Sequence, residues 1–485
     1  MNSELAIKYL LPEISLVASG IIALIIDLIL KGKRKKPVAF WNLLALLVIS
    51  GFVINRWSIS GYCMNGLARL NAVTNLFDMI FLAAAFFTVL LSISYLERVG
   101  YSYGEFYSLL LFSVAGMFVM ASAADLMVFF LGLELMSIPL YIMVGLFRTT
   151  KESNEAAIKY LLMGAFTTAF ILYGIALVFG ATGTTKLSGI AQALASGRAI
   201  AQSVIFLLAM ILILVGFAFK LALAPFHMWT PDVYQGAPTP LTGFMSVSVK
   251  CAAYAALIAV LAAMTPAAKE WTILLQFLAI ITMTWGNIAA LRQDNIKRML
   301  AYSSIAHSGY ILVGIVSYGN AASSNLSLSA VIFYLVVYLF MNIGAFASAM
   351  VVAGEKDERY HIDNYGGLSR RKPLLALFIS VFMFSLMGIP PLAGFMGKFQ
   401  IFYAALKAGM APLAIIAVLN SVVSVYYYLR VILVMYMEKG DQPAKEIHPT
   451  RVELAVISLF ALCVIALGLF PSVIMNVITN AVAGL

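Results

Sequence analysis

The chain is 485 residues long, 63% hydrophobic and only 11% charged, with a mean hydropathy of +0.98. Soluble domains carry about 25% charged residues, so a water-soluble fold is excluded and an all-α polytopic membrane protein is expected. The net charge of +10 is not a nucleic-acid signal, because the basic residues gather at the ends of apolar segments, where they orient spans.

A membrane-spanning helix needs about 20 predominantly apolar residues. In chain order that length predicts fourteen spans, at about 10–30, 38–55, 72–96, 106–122, 125–146, 156–180, 203–224, 239–264, 271–291, 299–317, 328–353, 373–407, 412–437 and 452–480. The twelfth is too long for one simple helix. The first is read as a retained helix rather than a signal peptide, because its basic cluster (Lys31, Lys33, Arg34, Lys35 and Lys36) follows the apolar run instead of preceding it. If that loop is cytoplasmic, the predicted cytoplasmic loops hold nineteen Lys and Arg and the outer loops seven. This bias supports fourteen spans with both termini on the outer side of the membrane.

An internal repeat is visible. Tyr141 to Gly145 (YIMVG) matches Tyr310 to Gly314 (YILVG), and Phe217 to Pro225 (FAFKLALAP) matches Phe382 to Pro390 (FMFSLMGIP). Each copy holds five spans, and an odd number turns the second copy upside down, as in inverted-repeat transporters. The expected organisation is an N-terminal three-helix segment (1–105), a first five-helix repeat (106–265), a second, inverted repeat (266–437) and a C-terminal loop with the last helix (438–485).

Four charges stand where a bilayer makes them costly. Glu134 lies about ten residues into the fifth span, near 15 Å deep at 1.5 Å per residue. Lys250 is equally central in the eighth, too deep to snorkel to the surface. Lys220 precedes Pro225 in the seventh span, and Lys398 follows Gly388, Pro390, Pro391 and Gly394 in the twelfth. A charge at mid-bilayer costs about 2.5–3.5 kcal/mol on insertion scales and marks a functional site by default. Proline and glycine beside a charge interrupt a helix and free backbone groups for an ion site. Glu134 and Lys220 can form a switch pair, with Lys250 and Lys398 passing a proton on through ordered water. His227, after the first break, and His307, among Ser303, Ser304 and Ser308, are either relays or core histidines. Lys159, Lys297 and Arg430 sit closer to span ends, where snorkelling explains them, and Asp27 and Asp78 are expected at the interface. The tract at 229–240 (WTPDVYQGAPTP) has the Pro, Gly and Asp of a rigid connector, with Trp229 and Tyr234 suited to the membrane interface.

No metal or cofactor site is expected in the chain itself. Cys63, Cys251 and Cys463 are far apart and form no CxxC spacing, four histidines are too few and scattered for paired haem ligation, and no glycine-rich nucleotide loop is present.

The runs FKLALAPFHMWTPDVYQGAPTPLTGFMSVSVK (219–250), GNIAALRQDNIKRMLAYSSIAHSGY (286–310) and IPPLAGFMGKF (389–399) resemble the antiporter-like subunits of respiratory complex I, the proton-pumping NADH:quinone oxidoreductase, and within them the subunit N branch. The resemblance covers about residues 70–440. It implies two inverted five-helix repeats with broken seventh and twelfth helices. It also implies that Glu134 pairs with Lys220, that Lys250 is the central lysine and Lys398 the exit lysine, and that His227 and Lys297 line the connecting path. NADH, FMN, iron–sulfur clusters and quinone would be handled by partner membrane and peripheral subunits. The counterparts of Glu134 and Lys220 in the second repeat are Ser303 and Ser385, neither ionisable near neutral pH, so a second Glu–Lys switch is not expected. A subunit of a multisubunit cation/proton antiporter is the alternative reading, against which the tract at 229–240 speaks. A purely structural membrane scaffold would not need Glu134 and Lys250 at mid-depth.

Overall fold

The computed structural model describes residues 3–30, 35–101, 103–197, 201–354, 360–438 and 447–484. Of the loop charges counted above, Lys31, Lys33, Arg34, Arg198, Lys356, Arg359, Lys439 and Lys445 lie outside the described residues.

The chain runs through α1 (Ser3–Ile29), α2 (Lys36–Asn55), α3 (Ala72–Arg98), α4 (Glu105–Ser122), α5 (Leu126–Val144), α6 (Lys151–Thr182), the short α7 (Leu187–Ser196), α8 (Val204–Lys220), α9 (Trp229–Gly236), α10 (Thr239–Ala263), α11 (Ala268–Ala290), α12 (Ile296–Tyr318), α13 (Ser324–Ala353), α14 (Pro373–Met387), α15 (Ala393–Lys407), α16 (Ala411–Met437), α17 (Arg451–Leu469) and α18 (Ser472–Ala483). Among the described residues, twelve helices are long and apolar enough to cross a membrane. The two-stranded hairpin of β1 (Gly61–Cys63) and β2 (Ala68–Leu70), with Gly61 opposite Leu70, was not anticipated from the sequence.

Polar caps punctuate an otherwise apolar chain. Asn71 and Thr74 form a reciprocal capping box at the start of α3, Asp125 accepts the Met127 amide of α5, and Asn295 accepts the first amides of α12. Gly183 and Gly388 end α6 and α14 in the left-handed conformation that glycine adopts without penalty.

Both expected breaks are present. α8 stops at Lys220, and Ala222 takes a positive φ of 56° before Pro225. α14 stops at Met387, and α15 restarts after Pro390 and Pro391. Across the second break the Gly394 amide donates to Ser385 Oγ at 3.0 Å, so Ser385 ties the two half-helices together.

Three expectations are corrected. The tract at 229–240 is not an interfacial connector: α9 is its core, and Trp229 and Tyr234 are 2% and 1% exposed, packed among α6, α12 and α13. Asp78 is not interfacial but buried, at 2.6 Å from Arg56, which also reaches Glu13 at 3.3 Å. The span at 452–480 is two helices, because Pro471 cannot supply the amide that would continue α17. Asp27 does lie near a helix end, paired with Lys35 at 2.5 Å.

The two repeats share a packing device. In the first, an added Cβ at Gly116 would stand 2.2 Å from the Met136 backbone nitrogen, and one at Gly132 would stand 2.7 Å from that of Met120. In the second, Gly286 and Gly309 face the backbones of Ala306 and Met283 at 2.7 and 2.8 Å. Small residues let α4 and α5, and likewise α11 and α12, approach backbone to backbone. The core lies along α10, α12 and α13, which are buried almost throughout their length.

Candidate functional site

Lys220 is the last residue of α8, at the break, where the amides of Leu221, Ala222 and Leu223 and the Trp229 indole close the helix end by bonding the carbonyls of Phe217, Ala218 and Phe219. Its ammonium donates to Ser137 Oγ at 2.8 Å and to the Tyr141 hydroxyl at 3.2 Å, and it lies over the rings of Tyr141, Tyr160 and Phe219 at 5.3–5.6 Å. Glu134 is on the same face of α5, one turn before Ser137. It is only partly buried, and it accepts a hydrogen bond from Thr168 Oγ1 of α6 at 2.8 Å. The expected Glu134–Lys220 pair is therefore not a direct contact: among the described residues no ion pair joins them, and Ser137 holds the ammonium instead.

Lys250 follows a π-helical turn, Met245–Val249, inside α10. Such turns insert one extra residue and recur at functional sites. The ammonium is 2% exposed and spends its three donors on the Ser304 carbonyl at 2.6 Å, Ser304 Oγ at 2.5 Å and Ser308 Oγ at 2.8 Å. Every one of these oxygens is neutral.

Lys398, on α15, is wired in the same way. It donates to the carbonyls of Leu386 and Met387 at 3.0 Å each and to Ser421 Oγ at 2.9 Å, and it lies over the Tyr310 ring at 4.9 Å. The carbonyls are the unpaired C-terminal groups of α14, released by the break and carrying the negative end of the helix dipole. A cavity of about 420 Å³ opens beside it on the apolar outer surface, walled by Phe395, Phe399, Phe402 and Val422.

Between the last two lysines runs α12. It presents Ser304 and Ser308 to Lys250 and Tyr310 to Lys398. His307 lies between, its Nδ1 on the Tyr334 hydroxyl at 2.5 Å and its Nε2 on that of Tyr428 at 3.1 Å, and Tyr428 in turn bonds Ser303 Oγ. Asn287 links the hydroxyls of Tyr310 and Tyr427. The sequence reasoning reached His307 and the serines but missed these tyrosines, Asn287 and Thr168. With 23 tyrosines in the chain, only burial distinguishes the few that matter.

Lys297 is buried at 1% exposure, donates to the Ala237 carbonyl at 2.8 Å and lies over the Tyr360 ring at 4.8 Å. Its expected place near a span end thus does not make it a snorkelling residue. His227 is buried on the turn between α8 and α9, its ring 6.1 Å from that of Trp285. Among the described residues no hydrogen bond links it to Lys220 or Lys250. Lys159 is paired with Glu155 at 2.5 Å and Arg430 with Asp294 at 2.7 Å. In the loop before α12, the Arg430 hydrogen bond holds the Asp294 carboxyl below its usual range. No cluster of three or more metal-ligating side chains occurs among the described residues.

Buried ammonium groups ligated by hydroxyls and carbonyls can lose or gain a proton without breaking an ion pair. A family profile described as NADH:quinone oxidoreductase/Mrp antiporter, TM, matches residues 123–424, a stretch containing Glu134, Lys220, Lys250 and Lys398. NADH-quinone oxidoreductase subunit N of Trichlorobacter lovleyi is 46% identical over 478 residues, covering 98% of this chain and 97% of its own. The chain belongs to the subunit N family of NADH-quinone oxidoreductases. A second subunit N, from Chloroflexus aggregans, is 40% identical over 96% of this chain and 95% of its own. A chain of respiratory complex I from Thermus thermophilus superimposes with a TM-score of 0.81 at 34% identity, covering 96% of this chain and 98% of that one. A chain of the Mrp complex from a Dietzia species reaches a TM-score of 0.83 over 100% of this chain and 97% of that one, but at 20% identity, which speaks for the fold alone. The likeness to the subunit N relatives thus runs over nearly the whole chain, and the likeness in architecture to a complex I chain is as extensive.

Proposed function

We propose that this chain is the proton-translocating membrane subunit N of an NADH:quinone oxidoreductase in a bacterial inner membrane. Protons move along Glu134, Lys220, Lys250 and Lys398, with Lys297 and His227 on the approach to Lys250 and His307 between Lys250 and Lys398. The basic loops face the cytoplasm and both termini the periplasm. NADH, FMN, iron–sulfur clusters and quinone are handled by other membrane and peripheral subunits, so the chain is a non-redox part of the enzyme, coupled to quinone reduction through its neighbours.

The observation that carries this reading is Lys250. An amine 2% exposed at mid-span, held by neutral oxygens, costs several kcal/mol to keep charged. A lysine can discharge there, whereas an arginine would stay protonated. The hydroxyl and imidazole groups of α12 beside it can carry that proton onward, directly or through ordered water. The antiporter reading shares the fold but rests on 20% identity, against 40–46% for the subunit N relatives of Chloroflexus aggregans and Trichlorobacter lovleyi.

The test is Lys250→Arg beside Lys250→Met, measuring membrane NADH–quinone turnover, proton uptake and the amount of assembled complex. A relay predicts that both variants assemble and that both lose coupled turnover by about tenfold or more. Full activity in Lys250→Arg would make Lys250 a fixed charge and end its role as a carrier.

A further inference from the structure

The short helix α9 joins the two lysine-bearing helices in sequence: Lys220 ends α8 before it, and Lys250 lies in α10 after it. Eight residues cannot hold themselves in place by helix propensity, so α9 takes its position from its attachments. Its close seat is Gly236, where an added Cβ would stand 2.3 Å from the Glu152 carbonyl oxygen of α6. Its polar attachment is Asp232. Asp232 Oδ2 accepts Lys159 Nζ of α6 at 2.6 Å, and Oδ1 accepts Arg298 Nη1 of α12 at 2.7 Å. Arg298 also donates to Gln235 at 2.9 Å. Gln235 is three residues on from Asp232 and therefore on the same face of α9. Just beyond, the Ala237 carbonyl receives Lys297.

One carboxylate thus bridges a cation of the first repeat and a cation of the second through the segment that separates Lys220 from Lys250. Remove its charge and Lys159 keeps Glu155 and Arg298 keeps the neutral Gln235 and Gln293, but no carboxylate on α9 then ties α6 to α12; with side chains 29–39% exposed the loss is one of register more than of stability.

We propose that Asp232 is a positioning residue for proton transfer: by latching α9 to α6 and α12 at once it holds the Lys220 and Lys250 branches in register. It carries no proton itself and touches neither lysine. This rests on the proton-path reading above.

The test uses the assembled complex in membranes and reads protons moved per NADH oxidised, normalised to the amount of complex. Asp232→Asn is expected to assemble and to lower that ratio about two- to tenfold, while Asp232→Glu, which keeps the charge, restores much of it. Arg298→Gln is expected to lower the ratio similarly, and the double variant Asp232→Asn/Arg298→Gln to be no worse than the more severe single, because both remove one contact. Should Asp232→Asn fail to assemble, Lys159→Gln opens a single leg of the bridge and leaves the Arg298 leg and the Gly236 seat in place. A normal ratio in the assembled variants, full additivity in the double, or failure of both Asp232→Asn and Lys159→Gln to assemble overturns the latch. Lys250→Met run alongside separates the two readings. If it also pumps normally, the proton path falls and the latch with it; if it fails while Asp232→Asn pumps normally, only the latch falls.

Discussion

At the scale of single residues, the chain satisfies its buried cations mostly with neutral oxygens. Lys220, Lys250 and Lys398 are each held by hydroxyls, backbone carbonyls or both. Glu134 stands one helical turn from the Lys220 ligands, bonded to Thr168. Ser137, on the same face of α5, bonds Lys220, so a change of charge at Glu134 is felt at the hydrogen bonds that hold the lysine. Glu134→Gln is therefore expected to assemble and to depress proton pumping by about tenfold, with Glu134→Asp milder because the charge survives. Normal pumping by assembled Glu134→Gln would reduce Glu134 to a structural acid. Arg56, Glu13 and Asp78 show the contrasting solution, a buried guanidinium shared by two carboxylates. Position in the sequence placed Asp78 at the interface, because a residue near a helix end is not shown by sequence alone to pack against the guanidinium of another helix's end.

At the scale of elements, two kinds of helix contact do different work. The reciprocal glycine contacts of α4 with α5 and of α11 with α12 bring backbones together without room for a side chain. Gly116→Val is expected to force α4 off α5 and cost about 1–3 kcal/mol, seen as a clear loss of assembled complex and of heat stability. Gly51→Ala, on the outer face of α2 where an added Cβ meets nothing within 4 Å, is expected to leave both unchanged. Equal loss in the two variants would show that the glycine contacts of α4 with α5 are not special. The broken helices work differently. Their ends release carbonyls that ligate Lys398, and the turn after Lys220 places α9 between repeats. Both breaks were legible from proline, glycine and lysine in close succession. That α9 is a buried helix was not, since WTPDVYQG is rich in turn formers and only tertiary packing overrides that preference.

At the scale of the whole molecule, the chain is a membrane subunit of the NADH-quinone oxidoreductase family, and the proposed division of labour leaves the redox chemistry to other subunits. The purified chain alone is expected to oxidise no NADH, since hydride and electron chemistry requires bound cofactors. Detectable NADH–quinone turnover from the isolated chain, free of other subunits, would contradict the proposed division of labour. The outer faces of α5 and α6 carry exposed Leu131, Leu135, Ile138, Leu162 and Phe166, a surface suited to lipid or to neighbouring membrane subunits.

The sequence by itself determined the class, most of the succession of apolar helices, the two breaks and the four charges set within apolar helices. Hydropathy, proline and glycine act locally, and a charge in a long apolar run is conspicuous wherever the helix packs. What tertiary structure alone decided is which groups those charges meet. It set Ser137 between Glu134 and Lys220, Ser304 and Ser308 on Lys250, His307 between Tyr334 and Tyr428, and Asp232 between Lys159 and Arg298. These partners come from separate helices tens or hundreds of residues apart. Helical periodicity shows which face of its own helix a residue occupies, but the rotation and depth of one helix against the next are fixed by side-chain packing across the bundle.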